Sequence, residues 1–290
     1  MKMVASAKLH KAEAAIGGKL PYEQKLHGIL AGLLQDDDLQ KALRVELGFG
    51  SAHGHPAVVL QDVGLDQLPE KDLYPRIAVV AVSSNSSLCG AFNSNVIRKY
   101  EETIRLLEGQ GYGKKDVDIY VIGRKMAEAV HRSGYPVKED LSDIADHPSY
   151  DAAAALASGL VESFTSGEVD QVVLVYSHFA SVASQTPVRE NYLPLSLSDY
   201  NGTESGPVDY ILEPDPLTLV RELLPKVLLL KMYNVILDAN AAEHAARTLA
   251  MQIASDNAED LIGELTLAYN KGRQQEITAE ILDLIGGTMN

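Results

Sequence analysis

Residues 241–290 read AAEHAARTLAMQIASDNAEDLIGELTLAYNKGRQQEITAEILDLIGGTMN, and this stretch decides the fold. Apolar side chains recur at Ala242, Ala246, Leu249 and Ile253, again at Leu261, Leu265 and Ala268, and again at Ile277, Ile281 and Leu284. Steps of four and three are the spacing of a coiled-coil seam. Ala242, Ala245, Ala246, Ala250 and Ala254 keep the helix thin, so a partner helix can lie close against it. Such a surface suits a shaft or a docking rod and serves catalysis poorly.

Working back from there, Asp215-Pro216 is a helix start, an Asp cap followed by proline at the first helical position. From Leu217 to Ile285 only Pro225, Gly263 and Gly272 interrupt the pattern. Roughly 70 residues at about 1.5 Å each span on the order of 100 Å. That exceeds the width of a globular domain of this size. Pro225 is expected to kink the helix near its base, and the two glycines to soften it. A helix this long must pair with another helix or run inside a partner.

The 290 residues are 46% hydrophobic with no Trp, a helix-rich composition with room for a sizeable core. No apolar run approaches the about 18 residues of a membrane span, and VLLL at 227–230 is far too short. The N-terminus has no apolar signal core. A single cysteine, Cys89, excludes an internal disulfide framework and fits a reducing compartment. The net charge of −15 argues against general nucleic-acid binding. It is uneven: Lys2, Lys8, Lys11, Lys19 and Lys25 face only Glu13 and Glu23 at the start of the chain. That basic first helix meets an acidic protein partner or simply solvates its lysines.

Residues 1–47 read as mainly helical, with a weak point at Gly17, Gly18 and Pro21. Residues 48–71, rich in glycine, read as a connecting segment with one short strand at 57–60. Then the pattern changes. RIAVVAV at 76–82 is a strand ending in a polar turn, followed by a helix at 91–108, a strand at 117–122, a helix at 152–164 and a strand at 171–176. Such alternation marks an α/β unit with a parallel sheet. Residues 188–212 add edge strands or an irregular return. The expected fold class is α/β: a Rossmann-like α/β domain, 72–212, inserted between two long terminal helices, 1–47 and 213–290. Ends so arranged fold back most simply as an antiparallel coiled coil.

Several constellations bear on chemistry. The turn SSNSSLCGAFNSN at 83–95 lies where α/β proteins place ligands. It reads as a phosphate site at a helix start, as a nucleophile at Cys89 served by His178, or as a capped helix with a buried thiol. Gly90 stands alone, so neither glycine-rich phosphate pattern is present. Gly123-Arg124-Lys125 is a basic spot or a solvated loop. His53 and His55 lack a third metal ligand. Asp36-Asp37-Asp38 lacks the glycine and final Glu of a calcium loop. His244, beside Glu243, reads as a helix-surface or coiled-coil contact. No triad or paired carboxylate stands out, and no cofactor is implied.

Further stretches carry a resemblance: MKMVASAKL at 1–9, SLCGAFNSN at 87–95, IGRK at 122–125, QTPV at 185–188, EHAAR at 243–247, DNAEDLI at 256–262 and YNKGRQQEITAEIL at 269–282. In this order they resemble the gamma subunit of F-type ATP synthases over nearly the whole chain. The resemblance implies a central rotor stalk, a non-catalytic subunit whose terminal helices form an antiparallel coiled coil inside a hexamer of alpha and beta subunits. It implies a foot against the epsilon subunit and the membrane c-ring. Proton-driven rotation of that ring cycles the beta sites through ATP synthesis from ADP and phosphate. By the same resemblance Arg273, Gln274, Thr278 and Glu280 meet the catalytic subunits, and Lys2, Lys8 and Lys11 face acidic loops of beta. The implied location is peripheral, on the cytoplasmic face of a bacterial inner membrane.

Two departures stand out. Relatives carry about twenty residues before the MVA block, which pair with the C-terminal helix. Their absence here implies either a start placed at an internal Met or a half-unpaired shaft. And Asn85-Ser86-Ser87 stands where the family often has Asp-Arg-Gly, which weakens any carried-over role for that turn, though not the fold. The alternatives are a stand-alone α/β enzyme using Cys89 and a coiled-coil adaptor.

Overall fold

The computed structural model describes residues 2–33, 58–59, 76–196, 213 and 215–288. Five strands form the main sheet: β2 Ile77–Val82, β3 Val117–Ile122, β4 Val137–Asp140, β5 Gln171–Phe179 and β6 Gln185–Leu193. The order is β4-β3-β2-β5-β6, parallel except for β6. β1 Val58–Val59 pairs separately with β7 Leu195–Ser196.

The central strand is buried on both sides, as the continuous IAVVAV run requires. Ile77, Val79 and Ala81 pack with Val96, Tyr100 and Ile104 of α2 Phe92–Gly109 and Met126 and Val130 of α3 Arg124–Ser133. Ala78, Val80 and Val82 face the other layer. There they meet α5 Tyr150–Thr165, the end of α1 Lys2–Leu33, and the first half of α6 Pro216–Thr288, with the short α4 Ser142–Asp146 alongside. The period of two in the strand thus sorts its side chains into two cores.

α6 holds 73 residues without interruption, on the order of 110 Å. Its start is the expected cap: Thr218 N donates to Asp215 Oδ1 at 2.9 Å and Thr218 Oγ1 to Oδ2 at 2.7 Å. The helix continues through Pro225. Polar ties then fix it to the sheet. Tyr192 Oη donates to Leu228 O at 2.9 Å and Lys231 Nζ pairs with Glu190 at 2.6 Å, while Tyr233 stacks edge-on with Tyr150 of α5. Leu26, Leu30 and Leu33 share the core with Val220 to Leu228, whereas Val4, Ala5 and Lys8 lie beside Glu243 to Met251. α1 and α6 therefore run antiparallel, as expected.

Several expectations need correction. Arg124 and Lys125 open a helix and do not lie in a solvated loop. Two elements, β4 and α4, follow it unpredicted. The weak point at Gly17 and Gly18 does not break α1, which spans 32 residues. His53, His55, Asp36, Asp37 and Asp38 lie outside the described residues. Among the described residues no helix is long and apolar enough to cross a membrane.

Candidate functional site

The turn after β2 is the first place to look for a ligand, and its oxygens hold the start of α3. Lys125 N donates to Ser84 O at 3.2 Å, Met126 N to Ser83 Oγ at 2.8 Å and Arg124 N to Asn85 Oδ1 at 3.0 Å. The start of α3 is thus capped by the chain itself. Gly123 permits this closeness: it has φ +105°, and a β carbon there would lie 2.3 Å from Ser83 O.

Cys89 is buried at 1% exposure among Phe92, Ala242 and Ala246. Its polar neighbours are Asn93 Nδ2 at 3.1 Å, Ser84 Oγ and Ser86 O. His178 does not serve it. That ring pairs through Nδ1 with Asp238 Oδ2 at 2.7 Å, and Phe179 N donates to Asp238 Oδ1 at 3.0 Å. Burial pushes the Asp238 carboxyl up, and the bond from His178 opposes that. The Cys89–His178 arrangement is therefore replaced by a tie between β5 and α6.

The site that does form is a collar where α1, the turn and α6 meet. Arg247 is its centre, with Nη1 donating to Ser87 O at 2.6 Å and Nη2 donating to Ser86 Oγ at 2.9 Å and Glu243 Oε1 at 2.6 Å. Burial pushes the Glu243 carboxyl up while Arg247 draws it down. Asn85 Nδ2 reaches across to Asp146 Oδ2 at 2.7 Å. A cleft of about 300 Å³ lies here, lined by Val4, Lys8, Leu88, His244 and Met251 among others. His244 is 7% exposed and its Nδ1 has no hydrogen-bond partner, so it is a buried contact and not a surface one. Burial, with Lys8 and Arg247 beside it, pushes its pKa down to about 4. Leu88 holds the left-handed φ of 69° yet stays exposed. A β-carbon residue in that region is held there by its surroundings.

Lys2, Lys8 and Lys11 are exposed on α1, and only Lys8 lines the cleft. Arg273, Gln274, Thr278 and Glu280 lie far along α6, all exposed, with Thr278 Oγ1 bonded only to Gln274 O at 2.7 Å. The two groups are not brought together; at about 1.5 Å per residue, Arg247 and Gln274 are roughly 40 Å apart along the axis. They form two stations on one rod. Between and around them the apolar surface is wider than the expected seam. Leu261, Ile262, Leu265, Leu267 and Tyr269 are each more than half exposed. Leu261, Ile262, Leu265 and Tyr269 share an arc of about 100° and Leu267 stands well outside it, so the apolar surface spreads beyond one narrow seam. A helix that exposes this much apolar surface is one meant to pack against a partner.

Sequence reasoning quoted EHAAR as a motif and named Asn85 only as a departure from the family, and it did not pick out Arg247, Asp238 or Leu88. The one available signal was the i,i+4 spacing of Glu243 and Arg247 within an alanine run.

Comparison with known proteins agrees with this architecture. The ATP synthase family model matches residues 1–289. The chain is 46% identical to the ATP synthase gamma chain of Phocaeicola vulgatus and 48% identical to that of Bacteroides fragilis, in each case over 100% of this chain and 92% of the relative. In fold it is similar to a chain in the central stalk and c-ring structure of the Tetrahymena thermophila mitochondrial ATP synthase, with TM-score 0.56 and 21% identity over 88% of this chain and 97% of that one. A chain of the Euglena gracilis mitochondrial enzyme gives TM-score 0.53 at 19% identity, over 98% and 94%. The chain belongs to the ATP synthase gamma-chain family.

Proposed function

We propose that this chain is the central rotor stalk of a proton-translocating ATP synthase. Its α6 tail turns inside a hexamer of alpha and beta subunits. Its α/β domain forms the foot, against an epsilon subunit and a membrane c-ring. Rotation of that ring turns the asymmetric shaft, which drives the beta sites in sequence through ATP synthesis. The nucleotide chemistry belongs to beta, and this chain contributes no catalytic residue. It sits peripherally on the cytoplasmic face of a bacterial inner membrane.

One observation carries this reading: α6 leaves the domain as a single helix that exposes large apolar side chains all along its tail, from Ile253 to Leu284. Left in water, that area would cost on the order of 25 cal/mol per Å² of apolar surface relative to burial. A partner packed along the tail removes it. The collar supplies the second contact, where Lys2, Lys8 and Lys11 face acidic loops of beta and Leu88 offers an apolar anchor. Torque passes between domain and shaft through Arg247, Asp238 and Lys231.

The test is co-expression with cognate alpha and beta subunits, read by gel filtration and ATPase rate. A complex containing one copy of this chain, active only when the chain is present, supports the rotor. Absence of any association with alpha and beta would sink it.

A further inference from the structure

The sheet face that carries Tyr120 is covered by α1, α5 and α6, and the cover stops short of the β4 edge. Tyr120 and Glu139, partners in register on β3 and β4, both line an open groove of about 660 Å³ there. α5 and its C-cap turn small residues toward it, Ala155, Gly159, Ser163 and Ser166, spaced by four, four and three. That is a helix-packing spacing, and side chains so small let a second axis approach to about 8 Å. A β carbon added at Gly159 meets nothing within 4 Å. The floor is Leu141, Ile144 and Leu156.

The rim has one sign. Glu139 stands on the sheet side, and Glu162 and Glu168 stand on the helix side, all exposed. No basic side chain lines the groove among the described residues, and nearby Lys138 is held by Asp118 at 2.9 Å. An anionic bilayer is repelled by such a rim. A strand added to β4 would leave the small-residue seam of α5 unused.

We propose that this groove seats a basic amphipathic helix of a partner protein. It completes the missing part of the helical layer. Its apolar stripe lies along α5 over Leu141 and Leu156, and its lysines or arginines face Glu139, Glu162 and Glu168. α5 spans 16 residues, so a helix of about four turns matches it. The inference does not depend on the rotor reading, because none of these residues lines the collar or the tail.

The test is amide exchange on the full chain with and without a synthetic Lys–Leu amphipathic helix. Exchange in α5 and β4 is expected to slow about tenfold on binding, and a Glu–Leu helix of the same pattern to have no effect. Combined Glu139→Gln, Glu162→Gln and Glu168→Gln is expected to abolish the slowing. So is Gly159→Trp, which fills the groove while keeping every charge and decides the matter if the triple variant does not fold. The proposal is overturned if α5 and β4 are unprotected, if protection falls only on the α6 tail, or if Gly159→Trp leaves it intact.

Discussion

Arg247 donates to the carbonyl oxygen of Ser87, a residue 160 positions earlier, at 2.6 Å. The same guanidinium holds Glu243 at 2.6 Å, so one side chain joins shaft to turn and neutralises a buried carboxylate. Replacing Arg247 with Ala removes the joint and strands Glu243. The expected loss is about 3 kcal/mol, the cost of breaking a largely buried pair from one side. Urea unfolding checks it. The double variant Arg247→Ala, Glu243→Ala should recover part of that loss, and Arg247→Lys should not, because its ammonium cannot fork to Ser87 and Glu243 together.

Acid should loosen the collar. His244 is held neutral, its folded pKa of about 4 lying below the ordinary 6.5. The unfolded chain therefore binds the proton more readily. Stability is full above pH about 6.5, falls as pH is lowered toward 4, and levels off below, by on the order of 3 kcal/mol. His244→Gln should flatten that slope in melting temperature measured against pH; an unchanged slope would assign the acid sensitivity elsewhere.

Two glycines should respond oppositely to alanine. Gly123→Ala sets a β carbon 2.3 Å from Ser83 O in a left-handed backbone, and a loss of roughly 2–4 kcal/mol is expected. Gly159→Ala meets open space inside α5, with a gain of about 0.5–1 kcal/mol. Thermal melts of the two variants against wild type give both signs.

Cys89→Ser should change little. The hydroxyl inherits Asn93 Nδ2 and Ser86 O as partners, and the loss should stay below about 1 kcal/mol. ATPase and proton pumping in the assembled complex are expected to remain near wild type, an outcome at odds with a Cys89 nucleophile.

At the far station the effect should be functional and not structural. Arg273 and Gln274 are exposed and touch nothing that the fold needs. Arg273→Glu with Gln274→Ala should leave melting of the chain within about 0.5 kcal/mol of wild type. Proton pumping per ATP hydrolysed in reconstituted vesicles should fall, by several-fold.

Much of the fold was readable because its signals are local. Asp215-Pro216 announces α6 by a cap, and the runs at 77–82 and 117–122 announce buried strands by composition. What escaped was either polar or distant. β4 reads VKED and is exposed throughout, so no apolar alternation marks it. α3 begins with the charged pair Arg124-Lys125 and is only 10 residues long. β5 extends through Ser177 and His178, polar residues that end an apolar run on paper but stay in register with β6. The collar was illegible for another reason. Arg247 binds a backbone oxygen and a serine of a remote turn, and nothing in a linear pattern ties those positions together.

α6 passes from the domain core to the exposed tail with no loop between. From Val220 to Ala246 one face is buried in the body, and Ile253 to Leu284 stand outside it. Mechanically this is a cantilever with its root clamped at the collar. Twist applied at the tip has no linker in which to dissipate, and bending concentrates just past the clamp, toward Gly263. The stiffness of the root is therefore set by a handful of polar ties, and softening any one of them changes how much angular error the tip accumulates.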